Sequence, residues 1–455
     1  MHLPPFLARA VLGLTLVGTV VTAPAIAPPV VPLREGPIPE EPAQVELRQN
    51  AAGIWRFYVN GEEFPVRGAG GAEVPGLLEH LKAAGGNCVR TWGLESLEKP
   101  MADGERFIDR AWRLGLMVVP GIWIDHERHG FDYADPEFIA KQRAKVLAAV
   151  QKYKNHPAVL AWGLGNEMEG PLDSAGSIPV FKELEELCQI VKQEDPGHPV
   201  MSVIAILTPE KIRRIETNYP SLDILGINTY GGAAGVGASL QAFGWKKPFA
   251  VAEFGVNGFW EVAKTAWGSS IEPATQEKAR SYYSAHRMVF EVNEGRETCL
   301  GTFAFLWGWK QEYTPTWFGM FLPTLEKLPQ VDAMTRAWTG KWPANRCPRL
   351  DGLVSDIMGR AVKPGQAATA KAQVEDPEGD PLSYEWLVAS ESTDLRIGGE
   401  SETAGAAHPD LVRDPQAPAC VFTTPANPGN YRLFLTVRDG QGNAATANFP
   451  FRVEP

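Results

Sequence analysis

Residues 159–167 read VLAWGLGNE. The first seven positions are apolar or glycine, and the last two, Asn166 and Glu167, are polar. A run whose two alternating faces are both apolar is typical of a strand buried on both sides in a parallel sheet. The polar pair would then emerge at one edge of that sheet. This stretch therefore predicts a buried parallel strand with an acidic group at its carboxyl end.

Seven further segments have the same character and alternate with helical patterns. The eight strand candidates are FPVRGAG (64–70), NCVRTWG (87–93), LMVVPGIWI (116–124), VLAWGLGNE (159–167), PVMSVIA (199–205), LDILGINTY (222–230), PFAVAEFG (248–255) and LGTFAFLWGW (300–309). Helical patterns include 74–85, 105–115, 136–153, 181–194 and 274–294. Successive strands lie about 34 residues apart. Eight βα units of this length predict an α/β fold, a closed (β/α)8 TIM barrel.

The chain of 455 residues divides into four predicted segments. Residues 1–25 read as a signal peptide, with a basic start, a short apolar run and a small-x-small cleavage site. Residues 26–43 are rich in proline and predict an exposed tether. Residues 44–345 are assigned to the barrel, preceded by a hairpin at Asn60-Gly61. The signal predicts a secreted or periplasmic protein with no integral membrane span after cleavage.

The fourth segment, 346–455, follows a predicted linker at 345–352 and changes character. Its strand candidates are 366–376, 382–389, 419–425, 430–440 and 444–453, which predict a small C-terminal β-sandwich. DPEGDPLSYEW (376–386) and YRLFLTVRDGQGN (431–443) resemble polycystic-kidney-disease-type and cadherin-like immunoglobulin folds. The aspartates of this region could bind calcium, although such residues more often form turns.

Charge and composition restrict the class of partner. The net charge of −11 argues against nucleic acid and anionic membranes, both of which favour basic patches. The 14 tryptophans are many for this length and suggest flat apolar ligands, such as sugars. The five cysteines match no metal motif, and we expect no metal and no cofactor. Cys347 and Cys420 could form a disulfide, and the oligomeric state is left open.

Active sites of TIM barrels lie at the carboxyl ends of the strands. The polar and aromatic side chains expected there are Arg90, Trp92, His126, Asn166, Glu167, Asn228, Tyr230, Glu253, Trp307 and Trp309. Two carboxylates, Glu167 and Glu253, thus face each other from the fourth and seventh strands. Alone, each of these residues would more often be a loop, salt-bridge or core residue. Their joint placement at one end of separate strands favours a functional site.

Two carboxylates at one barrel mouth suit glycoside hydrolysis. One carboxyl group protonates the departing oxygen, and the other attacks the anomeric carbon or activates a water that does. Arg90 and Tyr230 are expected to hold the second carboxylate ionised. Trp307 is expected to provide a platform for a sugar ring. For the retaining mechanism, the two carboxyl groups should lie about 5 to 5.5 Å apart.

The motifs WGLGNE (162–167) and VAEFG (251–255) resemble those of the retaining glycoside hydrolases of clan A. KNHPAVLAWGLGNE (154–167) is especially similar to the barrel of glycoside hydrolase family 2, and NCVRTWG and INTY match the arginine and tyrosine positions of the clan. The resemblance covers about residues 56–342. It implies that Glu167 is the general acid/base, that Glu253 is the nucleophile, and that Asn166 binds the hydroxyl next to the anomeric carbon.

The chain differs from family 2 in lacking the sandwich domains that usually precede the barrel. We therefore expect a secreted retaining β-glycosidase with an open cleft for β-linked poly- or oligosaccharide. An endo-glucanase, a mannanase and a glucanosyltransferase all fit. One alternative is a catalytically silent carbohydrate-binding or adhesion protein on the same scaffold. Another is a metal-dependent hydrolase that uses His126 and neighbouring acids.

Overall fold

The computed structural model describes residues 27–168, 177–396 and 399–455. The predicted signal peptide and Glu169, the second glutamate after the fourth barrel strand, lie outside the described residues. Residues 27–43 form neither helix nor strand and are mostly exposed. This segment nevertheless contacts the barrel, because the Arg34 amide donates a hydrogen bond to the Arg113 carbonyl at 2.7 Å.

A small antiparallel sheet precedes the barrel. Its strands are β1 (Val45–Gln49), β2 (Trp55–Val59) and β3 (Glu62–Phe64). As the Asn-Gly pair predicts, β2 and β3 form a hairpin, in which Val59 pairs with Glu62. Asn60 and Gly61 both have positive φ, 52° and 83°, as a type I′ turn requires.

Eight strand positions form the barrel, as predicted. The strands are β4 (Val66–Gly71), β5 (Cys88–Arg90), β6 (Met117–Val119), β7 (Gly121–Ile122), β8 (Trp162–Asn166), β9 (Val200–Ile204), β10 (Ile224–Asn228), β11 (Phe249–Phe254) and β12 (Cys299–Trp307). All neighbouring pairs are parallel. The spatial order is β6-β5-β4-β12-β11-β10-β9-β8-β7.

Pro120 divides the third barrel strand into β6 and β7, because proline has no amide hydrogen for the ladder. These two pieces of one strand stand at opposite ends of the sheet order. Hydrogen bonds across the seam join them to the fourth strand: the Leu160 amide donates to Val118 at 2.8 Å, and the Gly163 amide to Pro120 at 2.9 Å. The sheet is thus an eight-stranded barrel that closes at this position.

Helices lie between the strands and pack on the outside of the barrel. They are α1 (Leu77–Ala83), α2 (Phe107–Arg113), α3 (Pro136–Tyr153), α4 (Ile178–Glu194), α5 (Pro209–Asn218), α6 (Val236–Phe243), α7 (Thr275–Arg287) and α8 (Pro329–Thr339). The predicted helix 274–294 ends early as an α-helix and continues as a short π-helix at Met288–Val292. None of the helices in the described ranges combines the length and apolar character that crossing a bilayer demands.

The barrel interior is filled at its amino-terminal end. Side chains such as Val66, Met201 and Phe303 form one buried cluster there. Apolar side chains of the preceding sheet, including Phe57 and Phe64, pack against this cluster. The hairpin thus covers the bottom of the barrel, and the carboxyl end is left for a site.

The C-terminal β region contains two sheets around one buried cluster. Its strands are β13 (Arg349–Ser355), β14 (Ala361–Val362), β15 (Ala367–Glu375), β16 (Ser383–Ser390), β17 (Ala407–His408), β18 (Val412–Arg413), β19 (Ala419–Thr423), β20 (Gly429–Arg438) and β21 (Ala444–Val453). Pairing is antiparallel except between β14 and β21. The five predicted strands correspond to β15, β16, β19, β20 and β21.

The structure corrects the sequence analysis of this region in one respect and excludes one possibility that it left open. The predicted linker 345–352 is partly a strand, because β13 begins at Arg349 and pairs with β15. Cys347 and Cys420 do not form a disulfide; all five cysteines of the chain are free and buried.

A buried polar cluster joins the barrel to the C-terminal β region. Glu272 and Lys278 form an ion pair at 2.5 Å, and each side chain is 1% exposed. The same carboxylate accepts hydrogen bonds from Thr314 and Thr316, at 2.6 and 2.8 Å. From β21, Asn448 Nδ2 donates to Glu272 Oε2 at 2.6 Å. The two parts of the molecule therefore share one buried carboxylate.

Replacing Lys278 with methionine should strongly destabilise the protein, because Glu272 would lose its buried counter-charge. The expected loss in the free energy of unfolding is about 3 to 5 kcal/mol, measured by urea denaturation. The control is Lys264→Met, since Lys264 is exposed. Equal denaturation midpoints for the two variants would contradict the role assigned to this ion pair.

Candidate active site

A large cleft opens at the carboxyl end of the barrel strands. Its volume is about 1120 Å³. Eight of the ten residues predicted for the site line it: Trp92, Asn166, Glu167, Asn228, Tyr230, Glu253, Trp307 and Trp309. The other two, Arg90 and His126, are buried, with exposed fractions of 2% and 1%.

Three hydrogen-bond donors surround the Glu253 carboxylate. Arg90 Nη1 and Trp92 Nε1 donate to Oε1 at 3.1 and 2.9 Å. The Tyr230 hydroxyl donates to Oε2 at 2.9 Å. Arg90 and Trp92 come from the end of β5 and Tyr230 from the end of β10, so both carboxylate oxygens are held. Such an arrangement fixes the orientation of the carboxylate oxygens.

Arg90 also connects Glu253 to Glu167. Its second guanidinium nitrogen donates to Asn166 Oδ1 at 2.6 Å. Asn228 Nδ2 donates to the same oxygen at 3.2 Å and to Glu167 Oε1 at 2.7 Å. The two donors to its oxygen fix the orientation of the Asn166 amide. The two carboxylates are therefore held in one hydrogen-bonded chain.

The backbone around Glu167 is unusual. Gly165 and Glu167 have φ of 77° and 51°, in the left-handed region that non-glycine residues seldom occupy. For Glu167 this conformation costs on the order of 1 kcal/mol. The pairing register also shifts between Gly163 and Asn166, and between Ile227 and Asn228 on β10. Irregularities of this kind re-aim side chains at the ends of strands.

Burial determines the titration of two groups around Glu253. It raises the pKa of Tyr230 well above its ordinary value, and the Glu253 charge adds to the effect. The Tyr230 hydroxyl therefore remains a donor at neutral pH. Burial lowers the pKa of Arg90, whereas the neighbouring Glu253 opposes this change. The ion pair with Glu253 thus offsets part of the cost of removing the Arg90 guanidinium from water.

His126 does not line the cleft, contrary to the expected contact with substrate. Its ring stacks on Trp123 at a centroid distance of 4.9 Å and lies 5.4 Å from the ring of His129. Burial lowers the pKa of His126 to about 4, so the ring is neutral at physiological pH. His126 lies behind Trp123 and His129, which both line the cleft.

Trp307 is also placed differently from the prediction. It is fully buried, and its indole nitrogen donates to the Leu77 carbonyl at 2.9 Å. Its ring packs near Phe321 and Trp338, at centroid distances of 5.4 and 5.8 Å. The ladder with β4 shifts register between Ala304 and Trp307, so the end of this strand departs from regular pairing. Trp307 therefore offers no open platform to a sugar ring.

Other aromatic residues present exposed faces to the cleft. Trp309, which was predicted, is 41% exposed, and Trp260, which was not, is 54% exposed. Phe259 lines the cleft beside Trp260. The adjacent pair follows the Glu253 strand by only a few residues, and this proximity is the signal in the sequence that would have found it. Trp260 and Trp309 are the better candidates for sugar stacking.

Glu312 is another carboxyl group of the cleft, on the loop after β12. It is 8% exposed and pairs with Lys310 at 2.8 Å. Burial raises the pKa of Glu312, and the Glu253 charge acts in the same direction, whereas Lys310 opposes both. The residue lies close enough to Glu253 to affect the electrostatics of the site.

Within the described ranges, Asp376, Asp380 and Asp439 are the one group of His, Cys, Asp or Glu side chains close enough to share a metal ion. All three belong to the C-terminal β region and are absent from the cleft lining. His126 and its acidic neighbours do not form such a group. The alternative of a metal-dependent hydrolase built on His126 therefore gains no support, and calcium at the aspartates stays a prediction.

The fold and the paired glutamates resemble those of a glycoside hydrolase barrel of the clan A type. Residues 119–257 match the TIM barrel domain of glycosyl hydrolases family 2. The matched segment contains Glu167, Asn228 and Glu253. The resemblance inferred from the sequence motifs is thus confirmed.

Several relatives are beta-glucuronidases. That of Paenibacillus borealis is 25% identical in an alignment of 203 residues that covers 41% of this chain and 32% of the relative. Among solved structures, beta-glucuronidase 2 of Bacteroides uniformis is 14% identical, with a TM-score of 0.48, over 90% of this chain and 48% of that one. The Bifidobacterium dentium enzyme is 16% identical, with a TM-score of 0.48, over 66% and 49%. The chain thus spans a third to a half of the length of these relatives.

Replacing Tyr230 with phenylalanine should slow the hydrolysis of an aryl β-glycoside, because Glu253 would lose one of its three donors. A hydrogen bond to a charged group contributes about 1.5 to 3 kcal/mol, so kcat/KM should fall roughly 10- to 150-fold. The control is Tyr431→Phe, which removes a hydroxyl bonded to the Asn427 carbonyl in the C-terminal β region. A Tyr230→Phe variant as active as this control would show that the hydrogen bond is dispensable.

Proposed function

We propose that the protein is an exported retaining β-glycosidase that acts on β-linked poly- or oligosaccharide. Glu167 is the general acid/base and Glu253 is the nucleophile. The observation that carries this proposal is the environment of Glu253. Three donors orient its carboxylate at the barrel mouth, and Arg90 and Asn166 connect it to the chain that holds Glu167.

In the first step, the protonated Glu167 gives its proton to the glycosidic oxygen while Glu253 attacks the anomeric carbon. The bond between that carbon and the oxygen breaks, the alcohol leaves, and a glycosyl ester of Glu253 forms. In the second step, Glu167 takes a proton from water, which attacks the anomeric carbon and releases Glu253. A sugar hydroxyl in place of water would give transfer instead of hydrolysis.

The size and lining of the cleft support a substrate larger than one sugar. The volume of about 1120 Å³ exceeds the range of about 300 to 1000 Å³ that holds a drug-sized ligand. Exposed Trp260 and Trp309 offer flat apolar surfaces in it. An endo-glucanase, a mannanase and a glucanosyltransferase remain open, and the names of the relatives add β-glucuronides to the substrates for testing.

Two parts of the proposal rest on sequence alone. Export depends on the signal peptide predicted at 1–25. The immunoglobulin-like class of the C-terminal β region depends on its resemblance to polycystic-kidney-disease-type and cadherin-like domains. Both are compatible with an enzyme that meets polysaccharide outside the cytoplasm.

Replacing Glu253 with alanine should abolish activity on aryl β-glycosides, because no group would then attack the anomeric carbon. Azide should restore turnover and give the α-glycosyl azide, with inverted configuration. Product configuration is read by NMR, and the intact enzyme should release the β-anomer first. The control is Glu62→Ala on exposed β3. Release of the α-anomer by the intact enzyme would contradict double displacement.

Replacing Glu167 with alanine should lower kcat/KM, which reports the first step, about 10²- to 10⁴-fold on substrates with poor leaving groups, which need the proton. Activated aryl glycosides, whose leaving groups need little protonation, should be affected less. Steady-state rates on a series of leaving groups measure this difference. A uniform loss across the series would argue against Glu167 as the general acid.

The substrate is best found by screening the purified protein on aryl β-glycosides, including the β-glucuronide, and on β-glucans, mannans, xylans and galactans. Analysis of products by chain length separates endo from exo action and hydrolysis from transfer. Binding of a polysaccharide without turnover of any substrate would favour the catalytically silent alternative.

A further inference from the structure

One wall of the catalytic cleft does not come from the barrel. Leu395, Arg396, Gly399 and Glu400 line the same cleft as Glu167 and Glu253. They belong to the connection between β16 and β17 in the C-terminal β region. We call residues 391–396 and 399–406 the β16–β17 wall.

Direct hydrogen bonds attach this wall to the barrel loops around the cleft. Lys310 Nζ donates to the Gly399 carbonyl at 2.6 Å. The Tyr313 amide donates to Glu402 Oε2 at 2.6 Å, and the Arg396 amide donates to the other oxygen of that carboxylate at 3.0 Å. Because Glu402 is only 7% exposed, it ties the wall to the loop after β12 in a place sheltered from water.

A second set of contacts holds the base of the wall. Arg432 on β20 is 2% exposed and forms an ion pair with Glu391 at 2.8 Å. Its Nη2 also donates to the Ser270 carbonyl of the barrel at 2.6 Å. A buried arginine shared in this way fixes the start of the wall relative to the barrel. The β16–β17 wall is therefore fixed to the barrel as one side of the cleft.

The wall presents suitable groups for a sugar chain. Leu395 is 51% exposed although it is a large apolar residue. The Arg396 side chain is 52% exposed and can donate several hydrogen bonds. Lys310, which holds the wall, follows the exposed Trp309 in the chain. Apolar surface combined with a few polar groups is the usual composition of a ligand site.

We propose that the β16–β17 wall forms outer subsites of the cleft, which bind sugar residues of the substrate beyond the bond that is cleaved. The inference rests on the proposed glycosidase function and assigns part of the substrate-binding surface to the C-terminal β region. The occupant is the same β-linked chain that reaches Glu167 and Glu253, because the wall and the two glutamates line one continuous cleft.

The test compares substrates of different length on the variant Leu395→Ala/Arg396→Ala in the full-length protein. The substrates are β-1,4-linked gluco-, manno-, xylo- and galacto-oligosaccharides of about two to six residues, together with an aryl β-glycoside. For the longest substrates kcat/KM should fall about tenfold, equal to about 1.4 kcal/mol of lost binding. The aryl glycoside should lose much less than the longest substrates.

The control is Val354→Ala, because Val354 is 62% exposed on β13 and absent from the cleft lining. Equal losses for long and short substrates, or no loss for either, would overturn the assignment. Titration calorimetry with the same oligosaccharides gives an independent readout. Should the protein hydrolyse none of them, weaker binding of long chains by the double variant would still support the wall as a binding surface. Unchanged binding would overturn it.

Discussion

The ion pair between Arg90 and Glu253 is the interaction on which the candidate site depends. The two side chains are 2% and 7% exposed, so both charges have lost most of their water. Burying such a pair is costly unless further hydrogen bonds complete it. Trp92, Tyr230 and Asn166 supply those bonds. The same bonds that compensate for burial also fix the carboxylate, so the stability and geometry of the site have one physical origin.

Much of this arrangement could be predicted from the sequence because a parallel barrel brings its carboxyl strand ends together. Asn166, Glu167, Asn228 and Glu253 each end an apolar run, and the structure places all four in one cleft. The inference needs only strand boundaries and chain direction. It fails where the backbone departs from regular pairing. The pairing register shifts before Trp307, and the Trp307 side chain lies in the core. His126 stacks on Trp123 and does not line the cleft.

The rest of the cleft could not be predicted, because it depends on contacts between distant parts of the chain. Lys310 lies on the loop after β12 and Gly399 between β16 and β17, and nothing in either local sequence indicates that they meet. Trp260 lies in a loop whose course is set by packing with Tyr230 and Phe259. The predicted linker was similarly a strand in part, because β15 offers β13 a pairing edge. Local sequence patterns indicate helices and strands. The positions of these cleft residues and of β13 depend instead on which helices, strands and loops pack together.

The loop after β12 connects the C-terminal β region to the part of the cleft that contains the two glutamates. Thr314 and Thr316 of this loop bond to the buried Glu272, which also accepts from Asn448 on β21. Two to four residues earlier, Glu312 and Lys310 lie in the cleft as an ion pair, and Lys310 reaches the Gly399 carbonyl. The loop is thus held by the C-terminal β region at both of these points. Since Glu312 and Glu253 line the same cleft, a movement of the C-terminal β region relative to the barrel would alter the electrostatics of the site. The C-terminal β region is therefore a structural part of the candidate site.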